Sequence, residues 1–153
     1  MTTTRHTACD IAAGTGAYAA KLGALDSLLR LSMELRRHLE SVAHDHGLSA
    51  PQARLVTILA EPMRMAQAAE ATACEPSHLT ALADQLEGAG LLTRKPDPTD
   101  RRARQLCLTA KGSRLRARLI PAVVDGAPVI GELDGGQCAA LLALIEAPEE
   151  SPS

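Results

Sequence analysis

The stretch Gly90-Leu91-Leu92-Thr93-Arg94-Lys95-Pro96-Asp97-Pro98-Thr99-Asp100-Arg101-Arg102-Ala103-Arg104-Gln105-Leu106-Cys107-Leu108-Thr109-Ala110-Lys111-Gly112 decides how this chain is read. Leu91 to Lys95 and Arg104 to Leu108 have the composition of two short strands. The prolines and aspartates between them favour a turn over continued ladder pairing, so the segment predicts a β-hairpin with a basic tip. From Arg94 to Arg118, nine Lys and Arg side chains stand against Asp97 and Asp100, a net of +7 that leaves −9 for the rest of a chain at −2 overall. A basic segment on an acidic body is directed at a polyanion, although charge alone also allows a solvated basic face.

Upstream of the hairpin, the spacing predicts a short helix over Met65 to Ala73. A second follows, with Pro76 at its first position, Leu79, Leu82, Ala83 and Leu86 on one face, and a stop at Gly90. Two short helices joined by a tight turn form a helix-turn-helix pattern. Before them, Ser49 and Gln52 make a capping-box pair that starts a helix running through Ala60, and Glu61-Pro62 ends it. Further upstream, Leu22, Leu25, Leu29, Leu35, Leu39 and Val42 recur at helical spacing over Tyr18 to His46, while Leu28 and Leu31 widen the stripe. Residues 1–17 have no sustained period and are expected to form a flexible arm.

Downstream, Thr109 caps a helix expected to reach about Ile130, bent or divided at Pro121. Asp134 and Gln137 cap a last helix carrying Leu141, Leu144 and Ile145. The expected architecture is mainly α: a winged helix-turn-helix lobe over 49–111, with helices in 18–48 and 112–148 that have more apolar face than so small a chain can cover. Dimerisation through those helices is the economical solution. A two-fold dimer sets two reading helices one DNA turn apart, roughly 34 Å, and so calls for an inverted repeat.

Composition narrows the function classes. The 153 residues fit one domain. There is no Phe or Trp and only Tyr18 among tyrosines, which argues against stacking on single-stranded nucleic acid. No segment approaches the roughly 18 to 20 apolar residues of a membrane span, and a cytoplasmic protein is expected. Cys9, Cys74, Cys107 and Cys138 lack C-x-x-C spacing, so neither a zinc site nor a disulfide scaffold is indicated.

Gly90-Leu91-Leu92, then Asp97-Pro98-Thr99-Asp100-Arg101-Arg102, then Leu108-Thr109-Ala110-Lys111-Gly112 closely resemble the MarR family of transcription regulators, and the likeness extends over about Leu22 to Ala147. The resemblance implies a homodimer that binds double-stranded DNA, in most members as a repressor, and that releases it when a small effector, often an aromatic or phenolic acid, binds. It places Ser77, His78 and Thr80 at the start of the recognition helix, reading base edges and phosphates. It gives Arg102 the minor-groove role of the wing and Asp100 the carboxylate that orients it. Arg94, Lys95, Arg101 and Arg104 are assigned to phosphates. Three positions depart from the pattern: Ala81 where many members carry arginine, Glu75 at the Ser/Thr capping position, and Ala53 where an aromatic residue is common.

Other constellations compete with this reading. His38, His44 and His46 cluster at the end of the long helix, but His44 and His46 do not share a helical face, so solvated histidines are expected rather than metal ligands. An oxidant-sensing regulator is an alternative for which Cys74 lies near a helix N-terminus whose dipole favours thiolate, but Cys107 alternates inward on a strand, Cys138 starts the last helix and Cys9 sits in the arm, so structural or bystander thiols are the simpler reading. Asp26 and Arg30 form an i,i+4 pair; if they face the family's effector cleft, Arg30 can receive a carboxylate. No catalytic constellation is present, and neither an enzyme nor a cofactor is expected. A winged-helix scaffold that binds protein instead of DNA is the remaining alternative, disfavoured by the concentrated basic wing.

Overall fold

The structure, a computed structural model, describes residues 8–146, and the side chains from residue 16 onward. Helix α1 (Ala8–Asp45) is followed by α2 (Ala50–Ile58), strand β1 (Met63–Arg64), α3 (Met65–Thr72) and α4 (Pro76–Gly88). Then come β2 (Leu92–Pro96), β3 (Arg104–Leu108), α5 (Ala110–Asp125), a 3₁₀ turn at Ile130–Glu132 and α6 (Gly135–Ile145). The fold is the mainly helical winged helix-turn-helix expected from the sequence.

Two boundaries differ from expectation. α1 begins at Ala8, ten residues before Tyr18, so helix extends through a segment whose sequence has no sustained period. Residues 1–7 of the expected arm lie outside the described residues, and so does the side chain of Cys9. At the other end, α5 contains Pro121 without dividing, and stops at Asp125 instead of reaching Ile130. Gly126 and Pro128 end it, and Gly126 is also where the His38 ring passes; a Cβ there would lie 2.8 Å from the ring carbon Cε1.

The expected caps form. Ser49 Oγ accepts from the Gln52 amide while Gln52 Oε1 accepts from the Ser49 amide at 2.9 Å, and Asp134 and Gln137 repeat the arrangement at α6. Gly47, at φ +73°, reverses the chain after α1, with the Leu48 amide donating to the Ala43 carbonyl. The core is centred on the lobe, where Leu55, Val56, Leu79, Leu86, Leu92 and Leu106 are fully buried, and α5 adds Leu119 to it. From α1, only the C-terminal part joins it, through Val42 and Ala43. Arg116 Nε donates to the Thr57 carbonyl (3.0 Å) and His38 Nε2 bonds the Val123 carbonyl (3.0 Å), so α5 is tied to both α2 and α1.

The sheet has three strands, not two. β1 pairs antiparallel with β3 (Met63 opposite Leu106, Arg64 opposite Gln105), and β3 pairs with β2, giving the order β1-β3-β2. A two-residue strand carries no readable alternation, which is why the pattern showed only the hairpin.

The outer helices leave apolar surface uncovered. Tyr18, Leu22, Leu25, Leu28, Leu29 and Met33 are exposed along α1, and no residue of α6 is buried although Leu142, Leu144 and Ile145 belong to it. Among the described residues, no helix is long and apolar enough to cross a membrane.

Candidate nucleic-acid interface

Helix α4 buries Leu79, Leu82, Ala83 and Leu86 and turns Ser77, His78, Thr80 and Ala81 outward. Spacings of three and four residues fix this division, so the three polar side chains expected to read DNA lie exposed near its N-terminus. Pro76 occupies the first turn, and Glu75, at the cap, makes no side-chain capping bond, as its substitution for Ser or Thr implied. The Thr80 hydroxyl donates to the Pro76 carbonyl (2.9 Å), which leaves its oxygen as an acceptor toward a partner. His78 Nδ1 lies 3.9 Å from Cys74 Sγ. Cys74 is half-buried and Cys107 is buried in β3.

The L-T-x-x-G segment is explained by the joint between wing and helix. Thr109 Oγ1 donates to the Gly90 carbonyl (2.7 Å) and accepts from the Gly112 amide (3.1 Å), capping α5 while holding it to the end of the recognition-helix loop. A Cβ on Gly112 would press into the Leu91 carbonyl, so the backbone of α5 approaches too closely for any other residue. Gly90 itself has φ +70°.

The tip of the wing is organised by a buried carboxylate. Asp97 is 4% exposed. Its Oδ1 accepts from the Thr99 amide (2.8 Å), the Thr99 hydroxyl (2.7 Å) and the Asp100 amide (3.0 Å). Its Oδ2 accepts from Arg64 Nε (2.6 Å) and Gln105 Nε2 (3.1 Å). The Arg64 hydrogen bond, and after it the Thr99 hydroxyl, hold this carboxyl well below the usual carboxylate range. In the sequence Asp97 is marked only as a turn residue and nothing marks Arg64, whose partner becomes visible once β1 joins the sheet. Asp100 Oδ1 accepts from the Arg102 amide (3.0 Å), so it shapes the turn through the backbone and not through the guanidinium.

The basic residues separate into two groups. Lys95, Arg101, Arg102 and Arg104 are exposed, and among the described residues none of them forms an ion pair. Arg94, also expected at a phosphate, is ion-paired within the protein. Its guanidinium meets Asp84 at 2.7 Å and Glu87 at 2.5 Å, clamping β2 to the outer side of α4 with 23% of its side chain exposed. Its N–H groups are thereby committed to the recognition helix.

Asp26 and Arg30 form the exposed i,i+4 pair that their spacing implies. They pair with each other at 3.3 Å, both well exposed, and line neither of two cavities that open on the lobe. The larger cavity, about 510 Å³, lies between α1, α2 and the turn before α4, with Arg36, Glu40, Arg54 and Cys74 in its wall. His38 and His46 each bond a backbone carbonyl, those of Val123 and Val42.

The MarR family model matches residues 48–103, the lobe that contains α2 to the tip of the wing. No curated protein matches the chain in sequence. Among solved structures, the chain resembles AbsC, a MarR family transcriptional regulator from Streptomyces coelicolor, at 24% identity and TM-score 0.70, over 84% of this chain and 90% of that one. It resembles Sco3205 from the same organism, a MarR family regulator solved in complex with DNA, at 24% identity and TM-score 0.71, over 88% and 93%. It also resembles CouR from Rhodococcus jostii RHA1, solved bound to p-coumaroyl-CoA, at 26% identity and TM-score 0.68, over 82% and 92%.

Proposed function

With residues 48–103 matching the MarR family model, we propose that this chain is a homodimeric transcription regulator that binds a pseudo-palindromic operator in duplex DNA and acts as a repressor released by a small-molecule effector. One observation carries the reading: an exposed polar face at the N-terminus of α4 stands beside a wing whose tip is pinned by buried Asp97, while Arg101 and Arg102 have no ion-pair partner among the described residues. A rigid carrier with unspent guanidinium groups suits phosphates and the minor groove, and short side chains on an accessible helix suit the major groove. Sco3205, of similar fold, is solved on DNA.

The uncovered apolar faces of α1 and α6 supply the dimer surface, since a monomer seldom exposes so much contiguous apolar area. The cavity walled by Arg36 and Arg54 supplies the effector site, between the lobe and the long helix. CouR, of similar fold, holds an acyl-CoA ligand. A ligand there acts only by preferring one lobe arrangement to the other. Selection of binders from a random duplex pool tests the reading: an inverted repeat with half-sites about one helical turn apart is expected. Recovery of no enriched sequence would remove the operator from the account.

A further inference from the structure

We propose that the smaller cavity, at the far end of the recognition helix, binds a small aliphatic carboxylate. It has a volume of about 350 Å³, within the range of small-ligand sites, and opens between the turn joining α1 to α2, the last turn of α4 and the first turns of α5. This site is separate from the cavity walled by Arg36 and Arg54, and no lining residue is shared between them.

The lining specifies the ligand. Leu86, Leu91 and Leu115 give an apolar floor, and His46, whose Nδ1 bonds the Val42 carbonyl, is the one ring in the lining, with no Phe, Tyr or Trp beside it, so the surface offers mainly aliphatic dispersion contacts. Lys111 and Arg118 line the cavity and no carboxylate does. Lys111 Nζ donates one hydrogen to the Ala89 carbonyl (2.9 Å), which fixes the ammonium at the rim with two hydrogens to spare. Arg118 has no ion-pair partner among the described residues, and its fork matches a carboxylate bidentately. Gln85 accepts from Gln52 Nε2 (2.9 Å), an orientation that leaves its own amide hydrogens for an incoming anion. A short hydrocarbon chain on the leucines with its carboxylate between Lys111 and Arg118 satisfies every one of these groups.

The site does not cover the DNA-reading residues. Ser77 and His78 are at the N-terminal end of α4, whereas the cavity takes Leu86 and Ala89 from its other end, about two turns or more away along the axis. Binding is thus separable from the DNA-binding reading and is tested without DNA.

Calorimetric titration of the full chain with hexanoate and octanoate, and with hexanamide as the neutral counterpart, provides the test. Saturable binding of a carboxylate, at least tenfold tighter than the amide, is expected. Arg118→Gln should weaken it tenfold or more, Ala89→Trp should abolish it by filling the mouth, and Arg54→Gln in the other cavity should leave it unchanged. Methyl resonances of Leu86 and Leu115 should shift on titration of the unaltered protein while those of Leu35 and Leu39 stay fixed, a readout that needs no variant to fold. Absence of saturable binding, equal binding of hexanamide, shifts confined to Leu35 and Leu39, or loss of binding in Arg54→Gln alone would each overturn the assignment.

Discussion

Arg64 Nε lies 2.6 Å from Asp97 Oδ2, joining a two-residue strand before α3 to the base of the wing 33 positions later. The pair sets the wing's position relative to the helix-turn-helix, because Asp97 also receives the Thr99 and Asp100 amides that form the tip. Replacing Asp97 with Asn leaves the Arg64 guanidinium without its anion and the tip with one carbonyl acceptor in place of two carboxylate oxygens. The variant is expected to melt at lower temperature at neutral pH. Because the folded carboxyl titrates below its unfolded value of about 3.9, its contribution is complete above that value and is lost as pH falls through the folded one. Thermal melts from neutral pH down to about pH 2 should show the unaltered protein losing stability below about pH 4, with part of that acid slope missing in the variant.

Arg94 and Arg102 are both wing arginines, yet they should fail differently. Arg102→Ala removes an unpaired guanidinium and should cost about 1–3 kcal/mol of DNA binding, reducing the salt slope by about 1. Arg94→Ala removes the clamp on Asp84 and Glu87, and should cost about 1–2 kcal/mol of folding stability while leaving the salt slope unchanged. Binding isotherms at several salt concentrations, paired with denaturant melts, separate the two. A reduced slope in Arg94→Ala would return that residue to the phosphates.

Ala73, at the end of α3, has φ +51° and stands where glycine normally closes a helix. The left-handed conformation costs a non-glycine residue roughly 1–2 kcal/mol. Ala73→Gly is therefore expected to stabilise the lobe by about 1 kcal/mol, read as an increase in the denaturation midpoint.

Leu142 and Leu144 are exposed on a helix with no buried residue. If α6 and α1 form the dimer surface, Leu142→Asp should shift the protein toward monomer in analytical ultracentrifugation, since burial of such a side chain contributes about 1.5–3 kcal/mol per subunit. A variant that remains dimeric at low concentration would relocate the interface.

How far the sequence reached depended on the range of the interactions. Caps at Ser49 and Asp134 and the stops at Gly47 and Gly90 were legible, because each is decided within four residues. The inward face of α4 and the outward Ser77, His78 and Thr80 followed from helical period alone. What escaped was long-range. β1 is too short to carry a pattern, and without it Arg64 has no visible reason to meet Asp97. Arg94 counts as a free positive charge in the sequence, but Asp84 and Glu87, ten and seven residues earlier, are brought to it only when β2 packs against α4. The cavity against the long helix is equally long-range, since Arg36 and Glu40 of α1 meet Arg54 and Cys74 in its wall only once α2 and the turn before α4 pack there.

The most direct test is titration of the purified protein against the DNA upstream of its own gene and against a scrambled duplex of equal length, across a series of salt concentrations. The account predicts tight binding to one pseudo-palindrome, weakening steeply and log-linearly with salt, and much weaker binding to the scrambled duplex. Equal, weak binding to both duplexes at every salt concentration would contradict it.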